Sequence, residues 1–223
     1  VIYLTGSDVP GAADAALGLL VQPGSYGKAA YERVCRYRWW AADNGCFAQG
    51  DAFDEAAWWR WLWRVRWASP YFSKITGTFC LFAVAPDVLG DPAATYRRSW
   101  TKLHHLRNHG LPAAFVAQDG LERFPDVHAV GFWDEFDCLF IGGTDPWKLG
   151  PGAAWLAGEA QARRKWVHMG RVNSLTRLLH ADRIGCHSVD GTYLAFGPRV
   201  NLARLTGWMP ELERARAQLE LPL

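Results

Sequence analysis

The feature that most constrains this chain is a repeated exchange between short apolar runs and helix-like segments. Runs at Val1–Thr5, Trp39–Asp43, Phe79–Val84, Ala113–Ala117, Val127–Phe132, Cys138–Ile141, Trp166–Met169 and Gly185–Val189 read as strands. Between most of them lie stretches with helical punctuation. Phe53–Trp67 follows Asp51, a residue type that caps helices, and Pro92–His109 opens on proline and stops at Gly110. Gly152–Lys165 follows Pro151, Asn173–Asp182 starts on an Asn cap, and Glu211–Gln218 forms a polar amphipathic helix. Eight strands interleaved with helices favour one α/β architecture, a compact (β/α)8 TIM-like barrel, over the alternative of an open doubly wound sheet. At 223 residues the chain sits at the compact end of that class as a single domain over 1–223. The short gap between the fifth and sixth runs implies a reduced crossover.

Composition narrows the setting. A formal net charge of +2 with no basic arm removes the easy argument for nucleic-acid binding, although a local basic patch can exist in a near-neutral chain. The five cysteines (Cys35, Cys46, Cys80, Cys138 and Cys186) are scattered and never form a C-x-x-C pair, which suits a reducing cytoplasm. There is no 18-residue apolar stretch, and Val1–Leu4 is too short for a signal core, so a soluble cytoplasmic protein with no membrane partner is expected. No pattern specifies an oligomeric state. Five of the thirteen tryptophans crowd into Trp58–Trp67, where positions 58, 61, 62 and 65 make an apolar stripe and Trp59, Trp63 and Trp67 fall beside it. A thick helix packed on a sheet accounts for this; an exposed aromatic and arginine face is the alternative.

In a parallel barrel, chemistry gathers where strands end and loops begin. The ends here are Asp43-Asn44-Gly45-Cys46-Phe47, Pro86-Asp87, Gln118-Asp119-Gly120, Ile141-Gly142-Gly143-Thr144, His168-Met169-Gly170 and Ser188-Val189-Asp190-Gly191. Carboxylates, an amide and a glycine pair would face one cavity, with glycine letting a planar ligand approach the backbone. Any one Asp-Gly or Gly-Gly pair is equally well a turn. Six such ends in one set are harder to dismiss.

This ordered set resembles the tRNA-guanine transglycosylase superfamily, whose members carry in order D-S-G-G-[FY]-Q, Q-G-G, G-G-L and L-M-G segments and a late catalytic aspartate. The compact phage-type DNA-guanine transglycosylases, which insert 7-deazaguanine bases into DNA, are the branch it resembles most. The resemblance implies that Asp190 is the nucleophile attacking the sugar C1′ and that Asp43 moves protons on and off the bases. It further implies that Asp87 accepts the N–H edge of the purine and that Gln118 and the backbone at Gly142 and Gly143 read the carbonyl edge. Phe47 and Met169 would sandwich the base, with Asn44 beside them in the substrate site. Base exchange at an anomeric carbon is a double displacement, so it needs a carboxylate nucleophile and a second group for protons. Asp43 should therefore occupy the drier environment.

The departures from the family pattern are informative. The chain has no cysteine after Cys186, so neither the zinc site nor the zinc subdomain of the tRNA-acting members is expected. The basic residues that follow the family's catalytic aspartate are replaced by Gly191-Thr192-Tyr193-Leu194. Both departures point to DNA rather than tRNA. A duplex target must be flipped out, and Lys148, Arg163, Arg164, Lys165, Arg171 and Arg177 are the cations read as phosphate partners, with Trp147 available to stack. Arg163-Arg164-Lys165 could equally be a solvated helix end. His104, His105 and His109 share a helix but lack acidic or cysteine partners, so no metal is expected there. His168 is expected to pack away from the cavity.

The sequence thus points to an enzyme exchanging guanine for a 7-deazaguanine such as the 7-cyano form. It would use DNA and the free modified purine base and no other cofactor. Competing expectations are the same exchange on tRNA, a glycosidase-type hydrolase, and a non-catalytic nucleic-acid-binding barrel.

Overall fold

The computed structural model describes residues 1–24, 30–66, 77–129 and 131–219. Eight parallel strands close into one barrel in sequence order: β1 (Ile2–Thr5), β2 (Gly18–Val21), β3 (Trp39–Ala42), β4 (Phe79–Val84), β5 (Ala113–Ala117), β6 (Cys138–Ile141), β7 (Trp166–Met169) and β8 (Ser188–Gly191). The seam joins Ile2 to Ser188 and Leu4 to Asp190 in register. Helices wrap the outside at α1 (Ala30–Val34), α2 (Cys46–Gln49), α3 (Glu55–Val65), α4 (Pro92–Asn108), α5 (Asp145–Lys148), α6 (Pro151–Ala162), α7 (Leu175–Arg183) and α8 (Pro198–Leu219). The fold is a (β/α)8 barrel.

Three of the strand expectations change, the last being Gly185–Val189, which is observed as Ser188–Gly191 with Asp190 inside the strand. Gly18–Val21 is β2, so Asp43 follows the third strand rather than the second. The run Val127–Phe132 is not a strand: its described residues fall at short 3-10 turns, Pro125–His128 and Phe132–Glu135, while Val130 lies outside the described residues. With the turn Leu121–Arg123 before them, these make up the β5-to-β6 crossover, which has no α-helix among its described residues. Aromatic rings cover that flank instead: Phe115 stacks on Phe136 at 5.6 Å and meets Phe132 edge-on at 5.4 Å. The buried Trp133 indole donates to the Val127 carbonyl at 2.8 Å.

Helix starts follow capping chemistry at shifted positions. Asp54, not Asp51, caps α3 by accepting from the Ala57 amide at 3.0 Å, and Asp91 caps α4 through the Ala94 amide at 2.8 Å. Ser174, not Asn173, caps α7. The predicted helix Gly152–Lys165 begins at Pro151 and stops at Ala162, and Glu211–Gln218 is the end of the longer α8. On α3, Trp58, Leu62 and Val65 are buried, Trp59 and Trp61 are half-buried and Trp63 is exposed; Trp67 lies outside the described residues.

The core has two layers. Inside the barrel pack Leu4, Leu20, Ala41, Phe82, Val84, Val116 and Phe140, with Ala114 and Cys138. A larger cluster fills the space between strands and helices. Pairing slips by one residue between Trp40 and Ala41, which puts Ala41 opposite Phe82 and keeps both inside. Glycines allow close approach at the mouth. A Cβ on Gly191 would collide with the Tyr3 hydroxyl and the Asn173 amide and come within 2.6 Å of the Val172 carbonyl. Backbone cannot swing aside as a side chain can, so Gly191→Ala is expected to lower stability by ~1–3 kcal/mol. A urea midpoint equal to wild type would show that the segment after β7 yields freely.

Candidate active site

The strand C-termini surround a cavity of about 420 Å³, within the ~300–1,000 Å³ range of small-molecule sites. Leu20, Val84, Val116 and Phe140 make an apolar floor, and Asp43, Asp87 and Asp190 stand in the wall. Period-two alternation explains which strand residues arrive there. On β8, Ser188 and Asp190 turn inward while Val189 joins the outer core. On β7, Trp166 and His168 turn inward while Val167 and Met169 face the helices.

Asp43 follows β3 directly, and its amide donates to the Val21 carbonyl at 2.7 Å. Burial pushes its carboxyl up to about 7, with the charges of Asp190 and Asp87 adding to the effect and the amides of Asn44 and Gly45 opposing it. Gly45 has φ 78°, a left-handed turn that glycine adopts without strain. Asp87 is buried and cradled by two amides: Asn44 Nδ2 donates to its Oδ1 at 2.8 Å and Gln118 Nε2 to its Oδ2 at 2.6 Å. Burial also raises the Asp87 pKa, against those amides. Asn44 additionally donates to the Ala85 carbonyl and accepts from the Cys46 amide, so it braces the wall rather than offering a free edge.

Asp190 is held from below. Its Oδ1 lies 3.0 Å from Nε2 of His168, whose side chain is fully buried between Phe82 and Phe140. Nδ1 of His168 is 2.8 Å from the Ser188 hydroxyl, which also accepts from the Trp166 indole at 2.8 Å. His168 therefore points toward the site, contrary to the sequence expectation. The sequence signal for it is alternation: Trp166 and His168 on β7 share the inward register of Ser188 and Asp190 on β8.

Other predicted residues land differently. Phe47 is 61 % exposed on the rim and lines the cavity, with the Arg171 guanidinium 4.9 Å above its ring. Gly142 lines the cavity; a Cβ there would meet Val116 at 2.6 Å. Gly143 is buried beside Asp119 and Trp147 rather than on the cavity wall. Gln118 stands behind Asp87, its Oε1 accepting from the Gly90 amide at 3.1 Å, so both ends of its amide are already engaged. Met169 is buried in the outer core, away from the cavity, because its neighbour His168 takes the inward position.

The proposed phosphate cations divide sharply. Arg171 and Arg177 line the mouth. Arg171 has φ 60°, rare for a residue with a side chain, and donates to the Gly142 carbonyl at 2.6 Å and to the Gly143 carbonyl. Arg177 pairs with Asp145 at 2.6 Å. Lys148 is no surface cation: it is 2 % exposed, and its Nζ donates to the Gly170 carbonyl at 2.7 Å and pairs with Asp145 at 3.0 Å. Arg163, Arg164 and Lys165 precede β7 and so lie at the opposite end of the barrel from the cavity. There Arg163 pairs with Glu159 and covers Trp133, and Lys165 lies 5.9 Å from the Phe136 ring. Trp147 is tied to Glu122 at 3.0 Å. His105 and His109 pack against Trp59, and His109 against Trp63. Asn173, read as a cap, lines the cavity and carries a buried Oδ1 without a hydrogen-bond partner.

No protein-family model matches the chain, and no curated protein matches it. Similar solved structures include a tryptophan synthase from M. tuberculosis, at 16 % identity and TM-score 0.52 over 94 % of this chain and 89 % of that one. A tryptophan synthase alpha-subunit from the hyperthermophile Pyrococcus furiosus gives 15 % identity and TM-score 0.54 over 94 % and 95 %. The likeness is one of fold alone. These neighbours are enzymes and their shared architecture is the (β/α)8 barrel, whose activity characteristically sits at the strand C-termini. No helix among the described residues is long and apolar enough to cross a membrane. Among those residues no cluster of three or more His, Cys, Asp and Glu side chains is arranged to hold a metal ion.

Proposed function

We propose that the protein is a guanine transglycosylase acting on DNA, exchanging guanine for a free 7-deazaguanine base. The observation that carries this reading is the unequal treatment of two aspartates at one cavity. Asp190 is fixed by a hydrogen bond to His168, while Asp43 is raised to about 7, where a carboxyl both gives and takes protons. Asp190 would attack C1′ as the bond to guanine breaks, and Asp43 would protonate the departing base. Asp43 would then take the proton from the incoming base, whose attack on C1′ returns Asp190 to its free carboxylate. Asp87, an acceptor fixed by Asn44 and Gln118, suits the amino and ring N–H edge that guanine and its 7-deaza relatives share. Phe47 at the rim offers an exposed face for stacking.

The test is incubation of the protein with DNA or tRNA and labelled 7-deazaguanine bases, followed by digestion to nucleosides. Label in DNA supports the proposal, and label confined to RNA would reassign the polymer. Guanine release without incorporation would indicate a hydrolase, and no change would leave a binding role. Among the described residues, Arg171 and Arg177 are the cations at the mouth, so the slope of log affinity for single-stranded DNA against log salt should be shallow, about −1 to −2. A much steeper slope would locate the DNA on another surface.

A further inference from the structure

The groups beneath Asp190 form a chain whose direction is set by chemistry. The Trp166 indole can only donate, so the Ser188 oxygen accepts from it. The Ser188 hydroxyl proton is then free to go to His168 Nδ1, which leaves the imidazole proton on Nε2, facing Asp190 Oδ1. With Nδ1 protonated instead, the buried Ser188 hydroxyl would face two donors, and its own proton would lose His168 as an acceptor, an arrangement that is costly in a dry interior. Phe82 and Phe140 hold the ring from either side, at centroid distances of 4.8 and 4.6 Å.

We infer that His168 is a positioning residue for the nucleophile: its Nε2–H pins Asp190 Oδ1, leaving Oδ2 as the oxygen that bonds to C1′. This rests on the transglycosylase reading. In the first displacement the Oδ2–C1′ bond forms as the bond from C1′ to guanine breaks, and the electron pair leaves with the base, which Asp43 protonates. Oδ1 becomes the carbonyl oxygen of the glycosyl ester, still hydrogen-bonded to His168. In the second displacement the deazaguanine nitrogen, deprotonated by Asp43, attacks C1′. The Oδ2–C1′ pair returns to the carboxylate, whose developing charge the Nε2–H stabilises. His168 gives up no proton in either step.

Two measurements on the full chain test this. Long-range proton–nitrogen NMR of protein labelled at histidine should show His168 as the Nε2–H tautomer, with a signal displaced by Asp190→Asn. An Nδ1–H tautomer, or a signal indifferent to Asp190→Asn, would overturn the chain. In exchange kinetics, His168→Leu should lower kcat roughly 100-fold, with KM for the free base little changed. His168→Gln, which keeps a donor, should recover much of that loss. Equal activity in wild type and His168→Leu, or no recovery by a folded His168→Gln, would overturn the positioning role. A wild type that performs no exchange while showing the expected tautomer would instead sink the transglycosylase reading, and the assignment of the attacking oxygen with it.

Discussion

Replacing Asp190 with asparagine is expected to abolish base exchange, by roughly 10⁴-fold or more, and to remove any denaturant-stable protein–DNA adduct. Asparagine matches aspartate in shape and can still accept from His168 through its amide oxygen, so the local structure should survive. The backbone carbonyl of residue 190 remains bonded to the Val172 amide whichever side chain is present. What disappears is the anionic oxygen that forms the bond to C1′. An adduct formed at wild-type yield by the variant would place the nucleophile elsewhere, with Asp87 the next carboxylate in the same wall.

Asp43→Asn separates activity from stability. Loss of the proton carrier should slow exchange by ~10²–10⁴-fold. The fold, however, should gain. Asp43 has an ordinary value of 3.8 and is pushed up to about 7 by burial first and by the charges of Asp190 and Asp87 second. Between about pH 4 and pH 7 the folded protein keeps a proton that the unfolded chain releases, so the native state loses stability as pH rises. Above pH 7 the whole penalty applies, at most ~4 kcal/mol. In urea unfolding, the variant should therefore exceed wild type at pH 8 and match it near pH 4. A difference that is constant with pH would mean that Asp43 is not raised.

The barrel was legible because its punctuation is strong. Pro92 and Pro151 open helices, Gly110 closes one, and apolar runs separate them at regular intervals. β2 is not legible in the sequence because four residues, Gly18–Val21, show no periodicity of their own, and what makes them a strand is pairing with Leu4 and Trp40. Val127–Phe132 misled in the opposite direction. Its apolar residues serve the aromatic flank, and Pro125 and Gly131 favour short turns there.

At the site, Asp43, Asp87 and Asp190 were readable because each stands at or just beyond a strand end. Met169 follows alternation and not the motif: with Asp190 and Ser188 inward on β8, register puts His168 inward on β7 and Met169 outward. Arg163–Lys165 could have been excluded by topology, since residues entering a strand lie across the barrel from those leaving it. Lys148 could not. That its ammonium is buried against Gly170 and Asp145 is a fact of tertiary packing, which local sequence does not carry.

The arrangement of the cavity also ties function to the last stage of assembly. Asp43 and Asp87 come from the first four strands, while His168 and Asp190 come from the last four. The two sets meet across β4–β5 and across the seam that pairs Ile2 with Ser188, which of all the strand pairings joins residues farthest apart along the chain. Closing so long a loop is a slow step. In refolding experiments, helical signal should therefore return before activity, and turnover would serve as an optical-probe-free clock for barrel closure.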